Sequence, residues 1–192
     1  MLEAAQQAFA QHGYERASVN HIIELAGSSK GSFYHHFDSK EAVFLELMDR
    51  RLQEQRDMLR SLLQGEQSLR LDDVLAQAIE GGFNVYRTQD WAPLYMEFWA
   101  YATRSPALRA RVADLYQRWR AYLADVIAAA QATGVVSREV NPEKTAGMVI
   151  AIFEGMQLQL LIEEDVISPL DIAKLTLRML RPTRAEREAA QT

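Results

Sequence analysis

Apolar residues recur along this chain at steps of three and four, and nowhere do they alternate with polar ones over the length of a strand. Leu2, Ala5, Phe9 and Ala10 form a one-sided stripe that predicts a helix from Leu2 to His12, with Gly13 as its stop and Tyr14 folding back onto the core. Ser18 is a good N-cap for a second helix, Val19 to Ala26, that turns Ile22, Ile23 and Leu25 inward before Gly27 ends it. Ser29 caps a third, Lys30 to Phe37 or slightly shorter. Two short helices joined by a glycine-containing turn of about four residues make a helix-turn-helix pattern.

Either Asp38 with Glu41 or Ser39 opens a fourth helix, whose apolar side runs through Val43, Phe44, Leu47, Met48 and Leu52. Its middle, Gln53 to Arg60, is polar, and Gly65 ends it near Leu63, so it reads as a connector between two domains. Further helices are predicted over Leu71–Thr88 (interrupted at Gly81-Gly82) and over Trp91–Arg104. Another follows Ser105-Pro106, with an apolar seam of Leu108, Val112, Leu115, Trp119, Tyr122 and Val126 that stops at Gly134. Asn141-Pro142-Glu143 and Ser168-Pro169 are two more start signals. The helix opened at Asn141 and running to about Glu163 is apolar nearly all round, so it needs cover on every side. A second copy of the chain, contributing this helix and the last one, would supply that cover as a four-helix interface; the alternative is a central helix covered wholly within one chain. Candidate interface residues are Val149, Phe153, Met156, Leu160, Leu175 and Met179.

The fold class is therefore all-α: a three-helix helix-turn-helix head over residues 1–47 and a larger helical bundle over 48–182. The tail, 183–192, is charged and alanine-rich and is expected to fray. Nine glycines and five prolines in 192 residues favour long helices over many short strands. With no cysteine, thiolate nucleophiles, thiolate metal sites and disulfides are excluded. No apolar run reaches membrane-spanning length and no signal-peptide pattern opens the chain, so a cytoplasmic protein without a membrane partner is expected. All four histidines, His12, His21, His35 and His36, fall in the head outside any metal or nucleophile motif. No catalytic residue, metal site or cofactor is therefore assigned, and an enzyme is not expected.

Charge sharpens the picture. The net charge is −5 for the whole chain, and up to Arg50 four basic residues face seven acidic ones. A nucleic-acid contact made by this head must rest on placed groups and helix N-termini, not on a broad basic surface.

The run Gly31-Ser32-Phe33-Tyr34-His35-His36-Phe37-x-Ser39-Lys40-Glu41 resembles the tetracycline-repressor-like (TetR/AcrR) family of transcriptional regulators. Ala4-Ala5, Phe9, His12-Gly13-Tyr14, Ser18-Val19, Ile22, Ala26-Gly27 and Ser29-Lys30 fall in the family's order, so the match covers roughly Leu2 to Leu47. Ser28 stands where the family usually has a small apolar residue. The family's short basic arm ahead of the first helix has no match here, the chain opening at Met1-Leu2.

The resemblance implies a homodimer that binds a palindromic operator in double-stranded DNA and a small-molecule effector that lowers operator affinity, most commonly as a repressor. The alternative is a dimeric small-molecule-binding protein whose head grips DNA weakly or not at all. The physics of the run agrees with DNA contact by Ser18, Asn20, Ser29, Lys30, Gly31, Ser32, Tyr34, His35 and Lys40. Lys30 and His35 are the base-contact candidates, and Tyr34 and Lys40 are expected on phosphates. For the effector, large rings and one acid concentrate in the bundle: Phe83, Tyr86, Tyr95, Glu97, Phe98, Trp119, Tyr122 and Phe153. Pairing with Arg87, Arg104 or Arg118 is the more expected fate of Glu97.

Overall fold

A computed structural model of the protein describes residues 1–64, 77, 80–81, 91–163, 167–183 and 185–186. Among them are eight helices and no strand: α1 (Leu2–Arg16), α2 (Val19–Leu25), α3 (Lys30–His36), α4 (Lys40–Gln64), α5 (Trp91–Ala102), α6 (Pro106–Ala132), α7 (Pro142–Leu160) and α8 (Pro169–Leu180). The start signals act as expected. Ser18, Ser29, Asn141 and Ser168 each accept a backbone N–H three residues on, and Pro142 and Pro169 occupy first-turn positions. Ser39 opens α4, its hydroxyl oxygen accepting the Ala42 N–H at 3.2 Å. Most of the predicted Leu71–Thr88 helix lies outside the described residues; Gln77, Glu80 and Gly81 within it are helical.

Two stops show how the turns are made. Gly27 sits at φ 55°, its N–H bonded to Glu24 O while the Ser28 N–H returns to Ile23 O. Gly134 at φ 74° repeats the arrangement, with its own N–H on Gln131 O and the Val135 N–H on Ala130 O. This is the Schellman closure, which satisfies carbonyls that the helix end would otherwise leave open. At Gly13 the outcome is different. The regular helix breaks there (φ 73°, ψ 167°), but one further turn forms beyond it, so α1 reaches Arg16 instead of ending at His12.

The chain divides into two compact units. The first comprises Met1–Arg56 with Asn84–Leu115, the second Asp57–Phe83 with Tyr116–Thr192. The head is therefore built together with α5. Phe9, Tyr14, Phe33, Phe44 and Phe98 are all fully buried in this unit. Phe44 stacks on Phe98 at 4.1 Å, and Tyr14 meets Phe44 and Phe98 edge-on at 5.1 and 4.9 Å. Burial of each such ring is worth about 1.5–3 kcal/mol, enough for five of them to dominate the core of a small unit.

In the second unit, Ala124, Ile127, Val136, Ala146 and Leu180 form one apolar cluster. Met156, Ile172 and Ala173 form another, with Ile152, Phe153, Leu160 and Ile167 packed against it. Met156, expected at an interface between copies, is only 1 % exposed and belongs to this internal cluster. The reason is helical phase: Met156 points to α8, while Met148 and Leu158 of α7 and Leu175 and Met179 of α8 are 46–53 % exposed. Gly81 is a close-packing glycine, since a Cβ there would meet Met58 Sδ at 2.5 Å. Part of the tail is held as well. The Glu186 carboxylate accepts from the Ser137 hydroxyl, the Arg138 N–H and the Thr183 N–H.

Candidate nucleic-acid interface

α3 has seven residues and buries one side chain, Phe33. Lys30, Gly31, Tyr34, His35 and His36 are exposed around it, Tyr34 by 53 %. Phe37 is half-buried against Phe33, their rings 5.9 Å apart, so the helix is held at its base and open along its outer side. At its start the Ser29 hydroxyl oxygen accepts the Ser32 N–H at 3.1 Å, which leaves its O–H available to an outside acceptor beside the Lys30 and Gly31 N–H groups. On α2, Ser18 and Asn20 flank the helix start, Asn20 exposed. Ser18 is locked in a reciprocal cap: its oxygen accepts the His21 N–H, and its own N–H goes to His21 Nδ1 at 3.4 Å. The His21 ring also lies over His12 of α1, centroids 4.4 Å apart.

Lys40 has a different place from the one expected. Its ammonium donates to three backbone carbonyls, Tyr14 O at 2.7 Å, Ala17 O at 3.0 Å and Glu15 O at 3.1 Å. Three donors are all an ammonium has, so none is left for phosphate in this arrangement. It also sits over the Tyr14 ring, 4.5 Å from the centroid. Burial lowers its pKa from the usual lysine value, against the pull of Glu41 and Glu15. The carbonyls it binds are those at the end of α1, where the helix macrodipole is negative and a cation is favoured.

The same corner is held from α5. Glu97 Oε2 accepts the Tyr14 N–H at 2.7 Å, and a Cβ added at Gly13 would lie 2.8 Å from that oxygen. Gly13 is thus needed twice, for its positive φ and for the room its missing side chain leaves. One turn further on α5, the Tyr101 hydroxyl donates to Glu41 Oε1 at 3.1 Å. Burial pushes the Glu41 carboxyl up, but hydrogen bonds from backbone N–H, Ser39 and Tyr101 outweigh it and hold the pKa below the ordinary value. The bond to Glu41 raises the Tyr101 phenol in turn. Burial, with the Glu41 charge second, pushes the Tyr14 phenol far above its usual range.

These contacts relocate several effector candidates. Tyr95 and Phe98 are buried in the unit that contains the head, and the Glu97 carboxylate accepts the Tyr14 backbone N–H there; Arg87, one of its expected partners, lies outside the described residues. Phe83 and Tyr86 lie outside the described residues. Trp119 and Tyr122 stack on each other at 5.6 Å in the second unit, and Phe153 is partly buried there. The Gly13–Tyr14–Lys40–Glu97 corner escaped sequence reasoning. Its only local signal is the glycine, and Glu97 is 83 residues away from Tyr14.

Comparison with known proteins agrees with this geometry. Residues 1–47 match the model of bacterial regulatory proteins of the tetR family, and residues 70–185 match that of the BetI-type transcriptional repressor C-terminal domain. The chain is 27% identical over 183 residues to the HTH-type transcriptional repressor DhaR of Mycobacterium sp. (strain GP1), covering 89% of this chain and 85% of that one. Two solved structures share the fold. FadR of Bacillus subtilis in complex with stearoyl-CoA has a TM-score of 0.72 and 16% identity, over 93% of this chain and 94% of that one. A transcriptional regulator from Saccharomonospora viridis in complex with choline has a TM-score of 0.65 and 23% identity, over 93% and 92%. A helix-turn-helix head whose short third helix is exposed on its outer side, matched along both parts of the chain, makes this protein a member of the TetR family of transcriptional regulators, not an enzyme.

Proposed function

We propose that the protein is a cytoplasmic homodimeric repressor that leaves a palindromic operator when a small molecule binds its C-terminal bundle. The observation that carries this reading is the outer side of α3, where Lys30, Tyr34 and His35 stand exposed over a buried Phe33. Lys30 and His35 reach base edges, while Ser18, Asn20, Ser29, Ser32 and Tyr34 and the Gly31 backbone hold phosphates. Lys40 acts one step removed, as a positioning residue that fixes the end of α1. Residues 1–47 form the reading head, and 48–182 the effector and dimer domain.

Dimerisation falls to the uncovered apolar side of α7 and α8. Leu175 and Met179 are its centre, with Met148 and Leu158 beside them and Val149, Phe153 and Leu160 at its inner edge. Two heads held about one DNA turn apart, roughly 34–36 Å, then read the two halves of a palindrome. Effector binding favours a placement of the heads that does not fit this spacing, which is a shift of population between two states. Support for an effector comes from the relatives that hold stearoyl-CoA and choline. In this chain Trp119, Tyr122 and Phe153 remain as effector-facing candidates.

Selection of bound sequences from a random duplex pool tests the reading. A palindromic consensus is expected. Enrichment of no palindrome would leave a ligand-binding dimer with an inactive head, an outcome that the head's excess of acidic residues would favour.

A further inference from the structure

The interior side of α7 carries a polar group that nothing among the described residues satisfies. Gln157 is 6 % exposed, and its Nε2 is sealed from solvent with no hydrogen-bond partner among the described residues. It continues the stripe of Ala146, Ile150 and Phe153, and it follows Met156, which packs on Ile172 and Ala173. Three residues earlier on the same side, the Glu154 carboxylate accepts a hydrogen bond from the Tyr116 hydroxyl of α6. Ser137, buried in the same unit, spends its hydroxyl on Glu186, so polar groups here do find partners when they serve the fold.

A desolvated donor without an acceptor destabilises the state that contains it. Methionine or leucine would fill the same stripe without that cost. The deficit is explained if the amide is kept for an acceptor brought from outside. An exposed position would be reached by a second copy of the chain, but this nitrogen has no exposed surface, so its acceptor has to come into the bundle.

We infer that Gln157 anchors the effector, its Nε2 donating to the oxygen of a small, largely apolar, uncharged molecule such as a ketone or an amide. This rests on the reading of the second unit as the effector domain. An N–H donor selects an acceptor, and Phe153 and Ile150 call for an apolar body. The nearby Glu154 charge disfavours a carboxylate or phosphate. Because the amide is unpaired without ligand and paired with it, binding favours the occupied arrangement by more than contact area alone.

The test is thermal unfolding of the full chain and of Gln157→Met, with and without 2-octanone, N,N-dimethyloctanamide, octanoate and toluene. Ketone and amide should raise the melting temperature of the natural protein, while octanoate and toluene leave it in place. Gln157→Met without ligand should melt about 2–4 °C higher and lose the ketone and amide shifts. A variant that melts lower would mean that the amide is paired in solution, and the inference would fall. It would fall equally if ketone and amide left the natural protein unchanged or shifted the variant just as far. DNA binding is scored separately on the selected duplex, so a chain that grips no operator would sink the regulator reading without bearing on the role of Gln157.

Discussion

The Glu97 carboxylate of α5 holds the Tyr14 backbone N–H at 2.7 Å, across 83 residues of sequence. Lys40 closes the carbonyls of the same corner, Tyr14, Glu15 and Ala17, from the start of α4. A three-helix head of under 50 residues buries too little to be rigid alone. Here the glycine break in α1 is tied by a carboxylate on one side and an ammonium on the other.

Glu97→Ala should therefore loosen the head. A hydrogen bond to a charged group is worth about 1.5–3 kcal/mol, and the exposure of Glu97 brings the expected loss to about 1 kcal/mol, or roughly 2–4 °C in melting temperature. Operator affinity should fall with it, and Glu97→Gln, which keeps an acceptor oxygen, should recover most of both. Equal losses in the two variants would show that charge, not the hydrogen bond, holds the corner.

Lys40→Met keeps the stem and removes the ammonium. Binding to all duplexes should weaken alike, with stability down by about 2 kcal/mol for the three lost bonds. The slope of log K against log salt should stay as it was, because this charge is on carbonyls and not on phosphate. A slope reduced by about one would place Lys40 on the DNA after all.

Tyr34→Phe and His35→Ala should separate the two kinds of DNA contact. Loss of the Tyr34 hydroxyl is expected to cost affinity equally on every sequence, whereas His35→Ala should relax preference at one base pair of each half-site, by about 1–3 kcal/mol. Repeating the duplex selection with each variant reads this directly.

Acid should release the tail. The Thr183 N–H, the Ser137 hydroxyl and the Arg138 N–H hold the Glu186 carboxyl down at about 2, against an ordinary value of 4.5. A depressed acid stabilises the fold above the unfolded value and stops doing so as pH falls from about 4.5 through about 2. The melting temperatures of the natural protein and Glu186→Gln should differ at pH 6 and converge towards pH 2; a constant gap would contradict the assignment.

Leu175→Arg and Met156→Arg should fail in different ways. The first places a charge on an exposed side and should give folded monomers in sedimentation. The second buries a charge among Ile172 and Ala173 and should unfold or aggregate. A folded, unchanged dimer of Leu175→Arg would put the interface elsewhere.

Much of this was legible in the residues themselves, and for local reasons. Helix starts at Ser18, Ser29, Asn141 and Ser168, and stops at Gly27 and Gly134, depend on atoms within five positions, so a pattern of caps and glycines suffices to place them. The burial of Phe33 beneath exposed Lys30 and Tyr34 follows from helical phase, as does the apolar excess of α7. What the chain could not declare is which distant side chain meets which. Lys40 reads as a phosphate anchor by position and is a carbonyl clamp by contact. Glu97 reads as a ligand or arginine partner and is a backbone latch; Met156 reads as interface and is core. Each was decided by packing between separate helices, where no periodicity reaches and only the tertiary arrangement chooses the partner.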